Sequence, residues 1–98
     1  MKILALEREL PKTNAELFIR FAEEEARKAW ELHQAGLIRE LYFRADQSTA
    51  VLVLECESPE HAENILAELP FVREGLIVFD LIPLKAYPGF ARLFKDRI

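Results

Sequence analysis

The sequence predicts a single α+β domain of order βαββαβ, and three observations carry that prediction. A capping pattern at Thr13-Asn14-Ala15-Glu16 opens a long amphipathic segment, and Ala45-Asp46-Gln47-Ser48 joins two strand-like runs as a connection of hairpin length. Ser58-Pro59-Glu60 then opens a second helix ahead of a last apolar run. The order fits the ferredoxin-like arrangement, one four-stranded antiparallel sheet with both helices on one face.

Each element has a local cause. Residues 3–9 are an apolar-leading run closed by Pro11 and read as the first strand. In the capping box the Thr13 oxygen accepts an N–H of the first helical turn while Glu16 reaches back. The first helix then runs to about His33, since Phe18, Phe21, Ala22, Ala26, Ala29 and Leu32 recur at helical spacing and Gly36 supplies a stop. Residues 37–44 and 49–57 form the hairpin. Pairing Arg44 with Thr49 puts Leu37, Arg39, Leu41, Phe43, Ala50, Leu52, Leu54 and Cys56 on a helix-covered face, and Ile38, Glu40, Tyr42, Val51 and Val53 on the other. The second helix extends from Ser58 to about Leu69, before Pro70, and residues 75–84 form the last strand.

The domain spans residues 1–98, with residues 84–98 as a C-terminal tail. Tyr87, Phe90 and Phe94 in that tail are expected to pack on a neighbouring subunit, to cover a pocket or to fold back on their own domain. The second sheet face mixes apolar and charged residues, too apolar for water and too polar for a dry core, so sheet-to-sheet pairing into a homodimer or higher homo-oligomer is expected.

Composition excludes several classes. Half the residues are hydrophobic (51%) and the net charge is −4, which is globular and gives no basic patch for a phosphate backbone, so no nucleic-acid partner is expected. An RNA-recognition module shares the topology but needs sheet aromatics, and the third strand, TAVLVLECE, has none. The four-residue apolar run at the start is too short for a signal-peptide core and no long apolar segment follows, so a cytoplasmic protein with no membrane partner is expected. Cys56 is the single cysteine, and no metal-ligand spacing, glycine-rich phosphate loop or dinucleotide fingerprint occurs, so neither metal nor cofactor is expected.

The segment GLIRELYFR, the hairpin after it, SPEHAENILAELP and a last strand bearing Asp80 together resemble the muconolactone Δ-isomerase family of dimeric α/β-barrel proteins, over about residues 25–88. The resemblance implies a subunit that dimerises through its sheet and isomerises a small unsaturated lactone without a cofactor, by removing a proton near the carbonyl and returning it elsewhere. It carries over Glu25 as the first-helix glutamate, Arg39 as the second-strand arginine and Asp80 as the last-strand aspartate. Ile38 and Tyr42 stand where the family has tryptophans, and Glu40 where it has a histidine.

Candidate site residues follow. Glu25 shares a helix face with Phe18, Ala22 and Ala29 and points toward the sheet, as a pocket base, an ion-pair partner or a stripe-edge residue reaching water. Asp80, between Phe79 and Leu81, must find a partner, sit in a pocket as acid or base, or reach water at a sheet edge. His33 is either a helix-end residue favoured by the dipole or a proton-transfer partner. Arg39, Tyr42 and Trp30 complete the set as substrate-binding candidates, with salt-bridge or packing roles as the alternatives for Arg39 and Tyr42. The resemblance implies one cavity bordered by Glu25, Asp80 and Arg39. The competing function is a non-catalytic module that binds a small ligand or builds an oligomer.

Overall fold

The computed structural model describes residues 1–11 and 13–94. Strand β1 (Lys2–Glu9) is followed by helix α1 (Ala15–Gln34), strands β2 (Ile38–Phe43) and β3 (Ala50–Glu55), helices α2 (Pro59–Leu66) and α3 (Pro70–Arg73), and strand β4 (Ile77–Leu84). The sheet order is β2-β3-β1-β4 and all three pairings are antiparallel, which is the ferredoxin-like sheet. A short 3-10 helix, Gly89–Leu93, lies in the tail.

Helix boundaries follow from caps. The N-cap of α1 is Asn14, whose side chain accepts from the Leu17 N–H at 2.9 Å, and not the expected Thr13. The Thr13 hydroxyl instead donates to the Leu76 carbonyl, tying the start of α1 to the entrance of β4. Ser58 caps α2 as expected, accepting from the His61 N–H at 3.1 Å. Gly36 and Gly75 both sit at positive φ, 80° and 74°, where a side chain is disfavoured. Each reverses the chain after a helix, with Leu37 N–H bonded to Leu32 O and Leu76 N–H to Phe71 O. The single turn α3, absent from the sequence-based expectation, exists because Pro70 starts it and Gly75 ends it.

The core lies between sheet and helices. Ile3, Ala5, Leu52, Leu54 and Ile38 from the sheet meet Ala62, Ile65, Leu66 and Leu69 from the second helical segment, all buried. Helix α1 contributes only Leu32 to the fully buried set. Register sets which strand residues face this layer. Ile3, Ala5 and Glu7 stand opposite Pro83, Leu81 and Phe79, so all six share the helix-covered face. Leu6 stands opposite Asp80, and both lie on the other face.

The hairpin register agrees with expectation at its tip, where Arg44 N–H bonds to Thr49 O at 2.9 Å. Further along it does not, because a bulge between Ile38 and Glu40 shifts the pairing so that Ile38 stands opposite Leu54 and Glu40 opposite Val53. An extra residue in one strand reverses parity beyond it. Ile38 is therefore in the core, and Arg39 is the exposed residue of the bulge.

The outer sheet face carries Leu4, Leu6, Val51, Val53, Val78 and Ile82, none fully buried in the single chain. Beyond β4 the tail leaves the body. Tyr87, Phe90, Leu93 and Phe94 are exposed, with the Tyr87 and Phe90 rings edge to face at 5.0 Å. The radius of gyration is 16.6 Å, against about 13 Å for a compact chain of this length.

Candidate functional site: a cavity under the alanine face of the first helix

The inward stripe of α1 reads Ala22, Glu25, Ala26, Ala29. Alanine methyls cannot fill the space a leucine stripe would fill, and so α1 is held at its ends and stands off the sheet between them. At one end Leu32 enters the core. At the other the Phe18 ring packs edge to face on Phe71, centroids 4.9 Å apart. The space between is a cavity of about 490 Å³, walled mainly by Ile38, Leu41, Phe43, Leu52, Phe71 and Phe79 with the α1 alanines above. That volume suits a small organic molecule.

Two carboxylates face it, Glu25 from α1 and Glu7 from β1. A Glu25 carboxylate oxygen accepts the Phe71 N–H at 2.8 Å, which satisfies an amide near the start of α3 and fixes the side chain over the cavity. A Glu7 oxygen accepts the Ala50 N–H at 3.0 Å, at the end of the hairpin ladder. Burial raises both pKa values above the ordinary carboxylate range, and in each case the amide hydrogen bond opposes the rise. The charges of Glu7 and Glu24 raise Glu25 further while that of Arg73 opposes them, and the charge of Glu9 adds to the rise at Glu7.

The remaining sequence candidates separate. Tyr42 contributes to the cavity lining, half-exposed, with its hydroxyl donating to Glu40 at 2.7 Å. Asp80 is on the opposite sheet face from Glu25, 56% exposed, paired with Arg8 at 3.2 Å. The cost of a carboxylate in that strand is met by a cross-strand cation and water. Arg39, displaced by the bulge, donates from Nε to the Gly36 carbonyl and does not line the cavity. His33 Nδ1 lies 2.8 Å from the Ile38 carbonyl, joining the end of α1 to β2, and Trp30 is an exposed ring 6.0 Å from His33. The convergence of Glu25, Asp80 and Arg39 on one cavity does not occur. Glu25 keeps the cavity, and its companion is Glu7, a residue the sequence reading passed over although it continues the inward alternation of Ile3 and Ala5.

Comparison with known proteins bears on the fold. No protein-family model and no curated protein matches the chain. Among solved structures, muconolactone isomerase superposes with a TM-score of 0.73 at 20% identity, over 91% of this chain and 93% of that one. The chain shares the fold of muconolactone isomerase. A 5-chloro-2-hydroxyhydroquinone dehydrochlorinase from Burkholderia phenoliruptrix AC1100, solved in complex with 2,5-dihydroxybenzoquinone, superposes with a TM-score of 0.67 at 16% identity, over 91% of this chain and 98% of that one. Among the described residues no cluster of three or more His, Cys, Asp or Glu side chains is placed to hold a metal, and no helix is long and apolar enough to cross a membrane.

The raised carboxylates have a consequence for stability. A carboxyl whose pKa is higher folded than unfolded binds its proton more tightly in the folded chain. Its stabilising contribution is full below the unfolded value, about 4.3, and is lost as pH rises through the folded value. Glu25→Gln keeps an oxygen for the Phe71 N–H and removes the charge. Urea unfolding at pH 7 should show the variant equal to the parent or more stable by up to about 1 kcal/mol, the gain limited by partial solvent screening. The decline in stability of the parent as pH rises above the unfolded value of about 4.3 should flatten in the variant. A variant destabilised by more than about 1 kcal/mol at pH 7 would contradict this assignment.

Proposed function

We propose that the chain is a muconolactone-isomerase-like enzyme that moves a proton on a small lactone or related carbonyl compound, without a cofactor, in the cavity under α1. The observation that supports this reading is the placement of two partly desolvated glutamates, Glu25 and Glu7, each held by one backbone N–H, against an otherwise apolar wall. Burial disfavours the charged form of both groups, and the charge of Glu7 adds to that effect on Glu25.

In the proposed reaction the ionised Glu25 removes a proton from a carbon adjacent to the carbonyl. The C–H electron pair moves into the ring as a new C=C, and the carbonyl oxygen becomes enolate-like. The step requires Glu7 to carry a proton, which it donates in a hydrogen bond to that oxygen, the part expected of Arg39 from the resemblance. Glu25 then returns its proton to a different carbon of the conjugated system, so the double bond has moved and no net charge has been transferred. A pKa raised by burial places the base nearer to neutrality than an exposed glutamate, which is what an acid-base group working at cellular pH requires.

Turnover of an unsaturated lactone, followed by NMR in D₂O, tests the reading. The parent should exchange the proton adjacent to the carbonyl and shift the double bond, and Glu25→Gln should lower that rate by about 10²–10⁴-fold with ligand binding retained. Binding without exchange or isomerisation in the parent would favour the second reading, a non-catalytic ligand-binding module built on the same cavity.

The reading includes self-association. The half-apolar outer face and the projecting aromatic tail are surfaces that a second copy of the chain would cover, the sheet by face-to-face pairing and the tail by packing across the neighbour. Sedimentation equilibrium at micromolar protein should show a dimer or larger species. A monomer alone would remove this part of the proposal.

A further inference from the structure

The cavity carries two carboxylates and, among the described lining residues, neither lysine, arginine nor histidine. The amide donors nearest the carboxylates are already used, Phe71 N–H by Glu25 and Ala50 N–H by Glu7. The cations around the helical layer are hydrogen-bonded elsewhere, and of these Arg73 still acts on Glu25 from outside the lining, where its charge opposes the rise in the Glu25 pKa. Arg73 is bonded to Glu24 at 2.9 Å and Glu74 at 3.0 Å, and Lys28 to Glu68 at 2.9 Å. Arg39 faces the Gly36 carbonyl, and Arg8 pairs with Asp80 on the other side of the sheet.

An anionic ligand would leave water for a cavity whose lining holds no cation, and would set a further negative charge beside carboxyl groups whose charged forms burial already disfavours. An uncharged ligand meets the opposite conditions. Its apolar atoms cover Leu41, Leu52, Phe71 and Phe79, and its oxygen accepts from a protonated carboxyl or its hydroxyl donates to an ionised one.

We propose that this cavity selects an uncharged small ligand, a neutral unsaturated lactone, enol or quinol, and discriminates against counterparts that carry a carboxylate. The inference rests on the reading of the cavity as a small-molecule site and narrows its substrate class. Glu7 acts here as the residue that sets the charge preference, since its side chain lines the cavity from the sheet wall, facing the helix that carries Glu25.

Two pairs of probes test this at pH 7: hydroquinone against gentisate, and α-angelica lactone against its carboxymethyl analogue. Binding is read from the amide resonances of Phe71 and Ala50, the two groups bonded to the cavity carboxylates. The uncharged member of each pair should shift both amides, with the carboxylate-bearing member binding about 100-fold more weakly or less. Glu7→Gln, which keeps an oxygen for the Ala50 N–H, should narrow the gap by about tenfold. Equal or tighter binding of the anions in the parent overturns the charge preference and leaves the small-molecule cavity standing. A gap unchanged by Glu7→Gln overturns the role given to Glu7. Failure of both uncharged probes to move either amide at millimolar concentration overturns the inference together with the reading beneath it.

Discussion

The site depends on one constraint, a helix that must pack on a sheet with an inward face made of alanines and a single glutamate. Four residues, Ala22, Glu25, Ala26 and Ala29, decide how closely α1 approaches β1 and β2. Bulky residues there would have closed the layer and raised the apolar burial of a chain that, at 98 residues, has little to spare. The chain instead anchors α1 through Leu32 at one end and through Phe18 on Phe71 at the other. The same Phe71 supplies the N–H that holds Glu25. Packing and chemistry are therefore joined at α3, a single turn whose existence rests on Pro70 and on the left-handed Gly75.

The fold was legible in the sequence because it is encoded in local signals. Capping residues, helical periodicity and a short polar hairpin connection place every long element within a few residues, and the βαββαβ order leaves few sheets to choose from. The candidate site was legible only in part. Glu25 was readable because helical periodicity is rigid over its neighbours. Arg39 was misplaced because the bulge after Ile38 reverses parity, and one extra residue leaves no mark in an alternating pattern. Asp80 was drawn into the site by its apolar neighbours, yet its face is fixed by pairing with Leu6 on β1, a strand far away in sequence. Glu7 was missed for the opposite reason. A charge near a strand end reads as solvent-facing, while its parity with Ile3 and Ala5 turns it inward.

The two sheet faces carry different kinds of charge. On the outer face Arg8 and Asp80 are more than half exposed and pair across strands, an arrangement of small energetic weight in water. On the inner face the carboxylates lack a cationic partner within the cavity and are held by amides instead, with their pKa values raised by burial. Sequence alone shows acidic residues in both places. The fold makes one set a surface feature and sets the other along an apolar cavity, at some cost in stability as pH rises.

The central claim is that Glu25 and Glu7 line one partly desolvated cavity and that the charge of Glu7 acts on Glu25. A pH titration of the carbon-13-labelled glutamate carboxyls by NMR measures it directly. Both groups should titrate above the ordinary value of about 4.3, and the Glu25 midpoint should fall when Glu7 is replaced by glutamine. Two carboxyls titrating at the ordinary value, with Glu25 indifferent to Glu7→Gln, would contradict it.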